Sequence, residues 1–361
     1  MSMSPVWVAK RREGGRGTLE GMAAQLAAVV TCAALAGLAV PVAAQPAADV
    51  VVLVPTAEGA KPLTKTGTIL DWTAKELRLR TALGLEETIA AGSVQDVQTQ
   101  WPASCVSARR QREAGRLDDA IAAFEQAWRE ERRPWAQRQI AAEWSSTLLE
   151  AGRIDQAGDR FLTLVATDPA TRHLDMIPLP WRAMALDAAA QQRAAAWLAP
   201  RQPPLARLLG ASWLLPSRRT EAVVALEQLQ RAEGPVGPLA TIQLWRARLA
   251  TASTLDAQAW QQTLEQMPLS LQPVGWYVLG DLWARHEQPS PAARAYLKVP
   301  ILFRTQRAMA ADALLAAAQQ LEKMQRRDQA MELYRELARD YGHLPPAQVA
   351  RRQWAGAAEA P

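Results

Sequence analysis

The sequence predicts a mainly α protein, a solenoid of about six helical hairpins preceded by a small β-barrel-like domain. Three observations carry this reading. Over residues 49–99 short apolar runs are separated by glycines, and leucine alternates with arginine, the period of a half-buried strand. From about Ser104 onward apolar residues recur at helical spacing. Within that second stretch the chain resembles itself at intervals in the mid to high thirties of residues, the length of a helix–turn–helix unit. With 361 residues, 49% of them hydrophobic and 21% charged, the chain has material for a substantial core, and its composition excludes general disorder.

Residues 1–44 read as a signal peptide. Lys10, Arg11, Arg12 and Arg16 precede an apolar, alanine-rich stretch at 22–42, and Val42, Ala43 and Ala44 stand before Gln45 as small residues do at a signal-peptidase site, with Pro41 breaking the helix ahead of them. Cleavage is expected after Ala44. The alternative is a retained anchor, because the stretch approaches the roughly 20 residues that span a bilayer; both place the remainder outside the cytoplasm, in the periplasm or cell envelope, and cleavage leaves no integral span. Cys32 follows Thr31 in mid-stretch, where lipoprotein processing expects a smaller residue, so lipidation is set aside. Removing these residues lowers the net charge from +5 to +3 and leaves Cys105 as the single cysteine, so no intramolecular disulfide forms and Cys105 is expected as a small buried apolar residue. Only six of 41 basic residues are lysine, so arginine carries the positive charge; asparagine is absent, which removes N-glycosylation sites.

Residues 45–100 form the expected β domain, with strands at 50–54, 67–72, 76–81, 85–90 and 94–99 and turns at Gly67, Gly84 and Gly92. Leu77 and Leu79 fall on one face and Arg78 and Arg80 on the other. The string Gly67-Thr-Ile-Leu-Asp-Trp72, followed by the Leu-Arg alternation, Gly84 and Thr88-Ile89, resembles SH3-like and Sm-like barrels. Sm-like barrels bind RNA, but their RNA-contacting motifs are missing here; the arginines are read as a solvated face and no nucleic acid is expected.

Residues 104–343 carry the repeats. One unit has Trp276, Leu279, Gly280, Trp283, Ala292 and Tyr296; a second has Leu209, Gly210, Trp213, Ala222 and Leu226 at the same relative places. Ser145, Leu148, Gly152, Ala157, Phe161 and Pro169 make a third, Ala108, Gly115, Ala120, Phe124 and Ala127 a fourth, and Leu314, Ala318, Leu321, Ala330 and Tyr334 a fifth. A degenerate hairpin at 239–267 places Trp260 at the bulky position of its second helix. These units resemble tetratricopeptide repeats, W-x2-L-G-x2-Y followed by A-x3-F. The resemblance implies stacked hairpins, each needing its neighbours to bury its apolar stripe, with the small eighth residue letting the first helix approach the second. The spacings of 37 from Ala120 to Ala157 and 38 from Ala292 to Ala330 exceed the usual 34, and Gln111 stands where an apolar residue is expected, as in a capping repeat. Proline-rich connections at 168–181 and 200–204 divide the array into an N-terminal pair and a C-terminal set, and residues 344–361 are expected as a flexible tail.

Signatures of catalysis are missing. His173, His286 and His343 lie on separate segments without metal-ligand spacing, and no G-x-S-x-G, Walker A or G-x-G-x-x-G string occurs. No cofactor or metal is expected. Within 171–175, His173 and Asp175 are placed to pair and Arg172 to hold an anion, but turn-fixing is the preferred reading, with Ile177, Leu179 and Trp181 plugging the connection into the array. The run Arg129-Glu130-Glu131-Arg132-Arg133 is read as a solvated helix end. Trp213, Trp276 and Trp283 are expected in the core; Trp128, Trp135, Trp144 and Trp245 also fall on helices and are expected to be buried.

The expected function is an exported scaffold or adaptor that binds other envelope proteins. The repeat resemblance implies a groove lined by first helices, which places Arg109, Arg112, Arg207, Tyr277, Asp281 and Arg285 on it, and guanidinium groups there suit an acidic segment or a free C-terminus. The alternative is a glycan- or wall-binding module using exposed tryptophans and the small barrel. A hydrolase with its site between barrel and solenoid is a third option, without a motif to support it.

Overall fold

The computed structural model describes residues 48–55, 61–169 and 171–358, with backbone alone from 354; the expected signal peptide and its cleavage site lie outside them. Five antiparallel strands, β1 (Asp49–Leu53), β2 (Thr64–Trp72), β3 (Glu76–Arg80), β4 (Glu86–Ala90) and β5 (Val94–Gln98), pair in the order β4-β3-β2-β1-β5. Alternation decides the faces: Leu77 and Leu79 are fully buried, and Glu76, Arg78 and Arg80 point to water. β4 and β5 stand at opposite ends of this order yet are joined by the 3-10 turn Ala91–Ser93. A flat five-stranded sheet would separate them by roughly 19 Å, and so short a 3-10 link spans about 8 Å. The sheet therefore curls. Gly67 is not a turn residue: it lies inside β2 opposite Asp49, and a Cβ there would overlap the carbonyl of Arg80.

The sheet does not close its core alone. Val51, Ile69, Leu77, Leu79 and Ile89 pack with Trp135 and Ala136 of helix α3 (Pro134–Glu150), and the Trp135 indole donates to the carbonyl of Ile69 at 3.2 Å. Burying an indole of this size removes about 150–250 Å² from water, on the order of 4–6 kcal/mol. Beside it Arg133 donates to Asp49 (3.3 Å), Thr99 (2.5 Å) and the carbonyl of Gln100 (2.9 Å), while Glu131 accepts from the Arg133 guanidinium. The run at 129–133 is thus only partly a solvated helix end, because Glu131 and Arg133 form the polar joint between sheet and helices.

Fourteen helices follow among the described residues: α1 (Ala103–Glu113), α2 (Leu117–Glu130), α3, α4 (Ile154–Thr167), α5 (Ala188–Leu198), α6 (Pro204–Leu214), α7 (Arg219–Leu229), α8 (Val236–Arg248), α9 (Thr254–Gln266), α10 (Pro273–Arg285), α11 (Pro289–Leu302), α12 (Arg307–Lys323), α13 (Arg327–Asp340) and α14 (Pro345–Ala358). Four sequential pairs, α1/α2, α3/α4, α10/α11 and α12/α13, are joined by the same turn. Gly115, Gly152, Glu287 and Gln325 adopt φ of 75°, 75°, 54° and 60°, each five residues before a buried alanine, Ala120, Ala157, Ala292 or Ala330. In each case the next N–H reaches back to a carbonyl in the last turn of the first helix, as from Arg116 to Gln111 (2.9 Å) and from Arg326 to Leu321 (2.9 Å). This is the left-handed helix stop. The second helix of each pair then runs for 14 residues.

The middle of the array departs from this pattern. Gly210 admits the preceding helix α5, not its partner α7, since a Cβ would meet Ala194 O at 2.5 Å and Leu198 N at 2.6 Å. In α8 and α9, Trp245 and Trp260 stack with centroids 4.9 Å apart, filling the space between the helices with two indoles. Residues expected as a tail form α14, where Ala347 and Ala350, with Leu344 just before the helix, are buried against the preceding helices; proline at the first position and small residues at i and i+3 explain it. The array also returns on itself. α12 packs near α3, and His343 sits against Gly115 with its Nε2 4.0 Å from Glu150.

Candidate functional site

The connection between α4 and α5 positions the chemistry. Met176 to Trp181 is a continuous buried run without regular structure apart from the 3-10 turn Leu174–Met176. Such a segment survives only if its backbone groups are satisfied. Pro178 and Pro180 bring no N–H to satisfy, and their carbonyls accept from side chains of two different helices, Trp213 of α6 (2.8 Å) and Gln243 of α8 (3.3 Å). Asp312 of α12 accepts from the Trp181 indole (2.9 Å) and Arg182 (2.7 Å), and Arg246 of α8 donates to the carbonyl of Arg182 (3.1 Å). Ile177, Leu179 and Trp181 plug the connection into the helices, as expected.

Beside this strap lies a polar cluster on α8, α10 and α11. Tyr296 donates to Asp281 at 2.7 Å, and Tyr277 meets the Tyr296 ring edge-on, with centroids 5.4 Å apart. Burial pushes the Asp281 carboxyl up to about 6, against the downward pull of the Tyr296 hydrogen bond and of Arg246. Burial likewise brings Arg246 down to about 10, opposed by Asp281. Both phenols are driven above their ordinary range, chiefly by burial and then by Asp281.

At the other end of the connection an open cleft is lined by Gln139 of α3, by Arg172, His173, Asp175 and Met176, by Leu269 and Ser270 before α10, by Leu302 at the end of α11, and by Phe303 and Thr305 after it. The Arg172 guanidinium lies over the Trp72 ring at 3.5 Å and donates to Gln139. It makes no ion pair within 4.0 Å among the described residues. Burial lowers its pKa to about 10, opposed by the charge of Asp175. Asp175 accepts from Thr305 at 3.1 Å, while its carbonyl accepts from Gln306; burial raises its carboxyl. His173 does not hydrogen-bond to Asp175. It is buried, and burial with the nearby Arg172 and Arg138 keeps the imidazole neutral.

The six groove residues expected from sequence are not gathered on one free surface. Arg109 forms a two-pronged pair with Glu143 (2.8 Å for each bond), and Arg112 is buried against Glu150 and Ser146, so neither guanidinium is available to clamp a partner's carboxylate. Arg207 donates to Gln228 at 3.0 Å. Tyr277 is buried and Asp281 is engaged by Tyr296, whereas Arg285 is exposed at the end of α10. Tyr277 and Asp281 are brought into one cluster, and the charge of Arg285 reaches Asp281. Sequence reasoning missed Arg246, Asp312 and Gln139; for Arg246 the available signal was spacing, since it follows Ser212, whose carbonyl it bonds at 3.3 Å, by a 34-residue interval.

Among the described residues no tryptophan offers an open platform for a sugar. Of the twelve described, nine are buried, and half-buried Trp72, Trp101 and Trp128 lie beneath Arg172, Arg109 and Arg160. Cys105 is fully buried, and burial raises its thiol to about 11. Among the described residues no three His, Cys, Asp or Glu side chains cluster as a metal site, and no helix is long and apolar enough to cross a membrane. Neither a scan against protein-family models nor a search of curated proteins returned a match.

Proposed function

We propose that the protein is an exported, non-catalytic scaffold of the cell envelope, built as a tetratricopeptide-like solenoid with a small SH3-like barrel at its front, and that it binds protein partners. The observation that carries this reading is the turn repeated at Gly115, Gly152, Glu287 and Gln325, each with its left-handed residue five places before a buried alanine. Four hairpins joined by one turn are the kind of unit from which extended surfaces suited to other proteins are built. The binding surface proposed here is not the arginine list drawn from the repeat resemblance, since Arg109 and Arg112 already hold carboxylates of the same chain.

In-cell cross-linking of the full chain followed by mass spectrometry tests the reading. Discrete adducts with a small set of envelope proteins are expected. Recovery of the protein in the cytoplasm, or cross-links confined to its own peptides, would overturn it.

A further inference from the structure

We infer that the cleft bounded by α3, the connection and the end of α11 binds a small zwitterion, an α-amino acid with an apolar side chain. Two opposite charges, Arg172 and Asp175, line this one cleft without forming a direct ion pair. Arg172 has no ion pair within 4.0 Å among the described residues, and the Asp175 carboxylate accepts from the Thr305 hydroxyl at 3.1 Å without a cation in contact. Both are partly withdrawn from water, and keeping charges apart in such surroundings is costly unless something bridges them.

The remaining features narrow the ligand. Arg172 lies over the Trp72 ring and donates from Nη2 to Gln139, which fixes a guanidinium whose remaining N–H groups suit a planar carboxylate. A dianion such as phosphate would bring its charge against Asp175, whereas an α-amino acid offers that carboxylate an ammonium group. The apolar part of the lining is Leu269 and Leu302, 54% and 46% exposed, together with buried Met176 and Phe303. Exposed leucines beside a charged floor suit a ligand with one apolar arm. This inference does not depend on the scaffold reading.

Calorimetric titration of the full chain tests it with four probes, L-leucine, N-acetyl-L-leucine, L-leucinamide and the dipeptide Leu-Leu. Saturable binding of leucine is expected, with a loss of at least tenfold for each analogue lacking one charge and for the dipeptide, whose charges lie farther apart. Arg172→Gln should abolish leucine binding. Because Arg172 also packs on Trp72, the rim variant Leu302→Glu, at a position already open to solvent, supplies a second reading and should weaken leucine at least tenfold. No heat from leucine at up to about 10 mM, equal binding of leucine and its N-acetyl form, unchanged affinity in Leu302→Glu, or tighter binding of Leu-Leu would each overturn the inference.

Discussion

The outer hairpins and the middle of the helical array solve the same packing problem by opposite means. In α10/α11 a glycine, Gly280, lets the Tyr296 ring lie where a Cβ would come within 2.6 Å of it, so the two helices close on each other through a missing side chain. In α8/α9 the largest side chains available, Trp245 and Trp260, stack face to face at an interplanar angle of 6° and fill a wider gap. Close approach gains dispersion contacts between the Tyr296 ring and the backbone at Gly280, while stacking gains buried aromatic area. The difference shows that repetition here is a property of the turn and of the buried alanine, not of the side chains between them.

Breaking the wide hairpin should have the largest effect. Trp245→Ala is expected to destabilise by about 3–5 kcal/mol, read from the urea midpoint, and Trp260→Ala by a similar amount. The double variant should fall well short of the sum, because both remove one stack; strict additivity would show that the indoles act separately. Asp281, where the middle meets the outer set, comes next. Its folded pKa of about 6 lies above the ordinary 3.8. The folded state therefore holds the proton more tightly, and stability falls as pH rises from about 4 through 6. Asp281→Asn, which still accepts from Tyr296, should be neutral at pH 4 and stabilising by about 2 kcal/mol at pH 7. A gain independent of pH would disprove the role given to burial.

Smaller effects compare the outer turns with one another. Gly115→Ala places a Cβ into His343 as well as forcing alanine to positive φ, whereas Gly152→Ala has the same φ with nothing within 4 Å. A cost of about 1 kcal/mol is expected for Gly152→Ala and a clearly larger one for Gly115→Ala; equal thermal shifts would mean that His343 yields without penalty. Smallest is the gain from Glu287→Gly and Gln325→Gly, up to about 1 kcal/mol each, measurable as a raised midpoint in the same assay.

These contrasts also mark what the sequence could tell. The strands were legible because β3 alternates Leu-Arg-Leu-Arg and water on one face enforces that period. Gly115 and Gly152 announced their turns; Glu287 and Gln325 adopt the same conformation and were visible only through the alanines five places on. The arginine list went astray for an identifiable reason. Arg109 and Glu143 are 34 residues apart and Arg112 and Glu150 are 38 apart, so each carboxylate stands about one repeat along, on the neighbouring first helix. A family pattern marks which residues lie on first helices, but neutralisation depends on what the next unit offers. α5 escaped notice because its alanine-rich stretch lacks large apolar residues at regular spacing, and its place is set by Gly210 from outside.

The meeting of His343 with Gly115 and Glu150 bears on how this molecule can be cut. A row of units with two loose ends frays from either one, and a shortened version keeps what is left. Here trimming the last helix and the residues before it would bare the acid on α3 that Arg112 also needs, so damage at the far terminus should surface in the earliest hairpin. Proteolysis and truncation experiments ought then to yield the whole helical body or none of it.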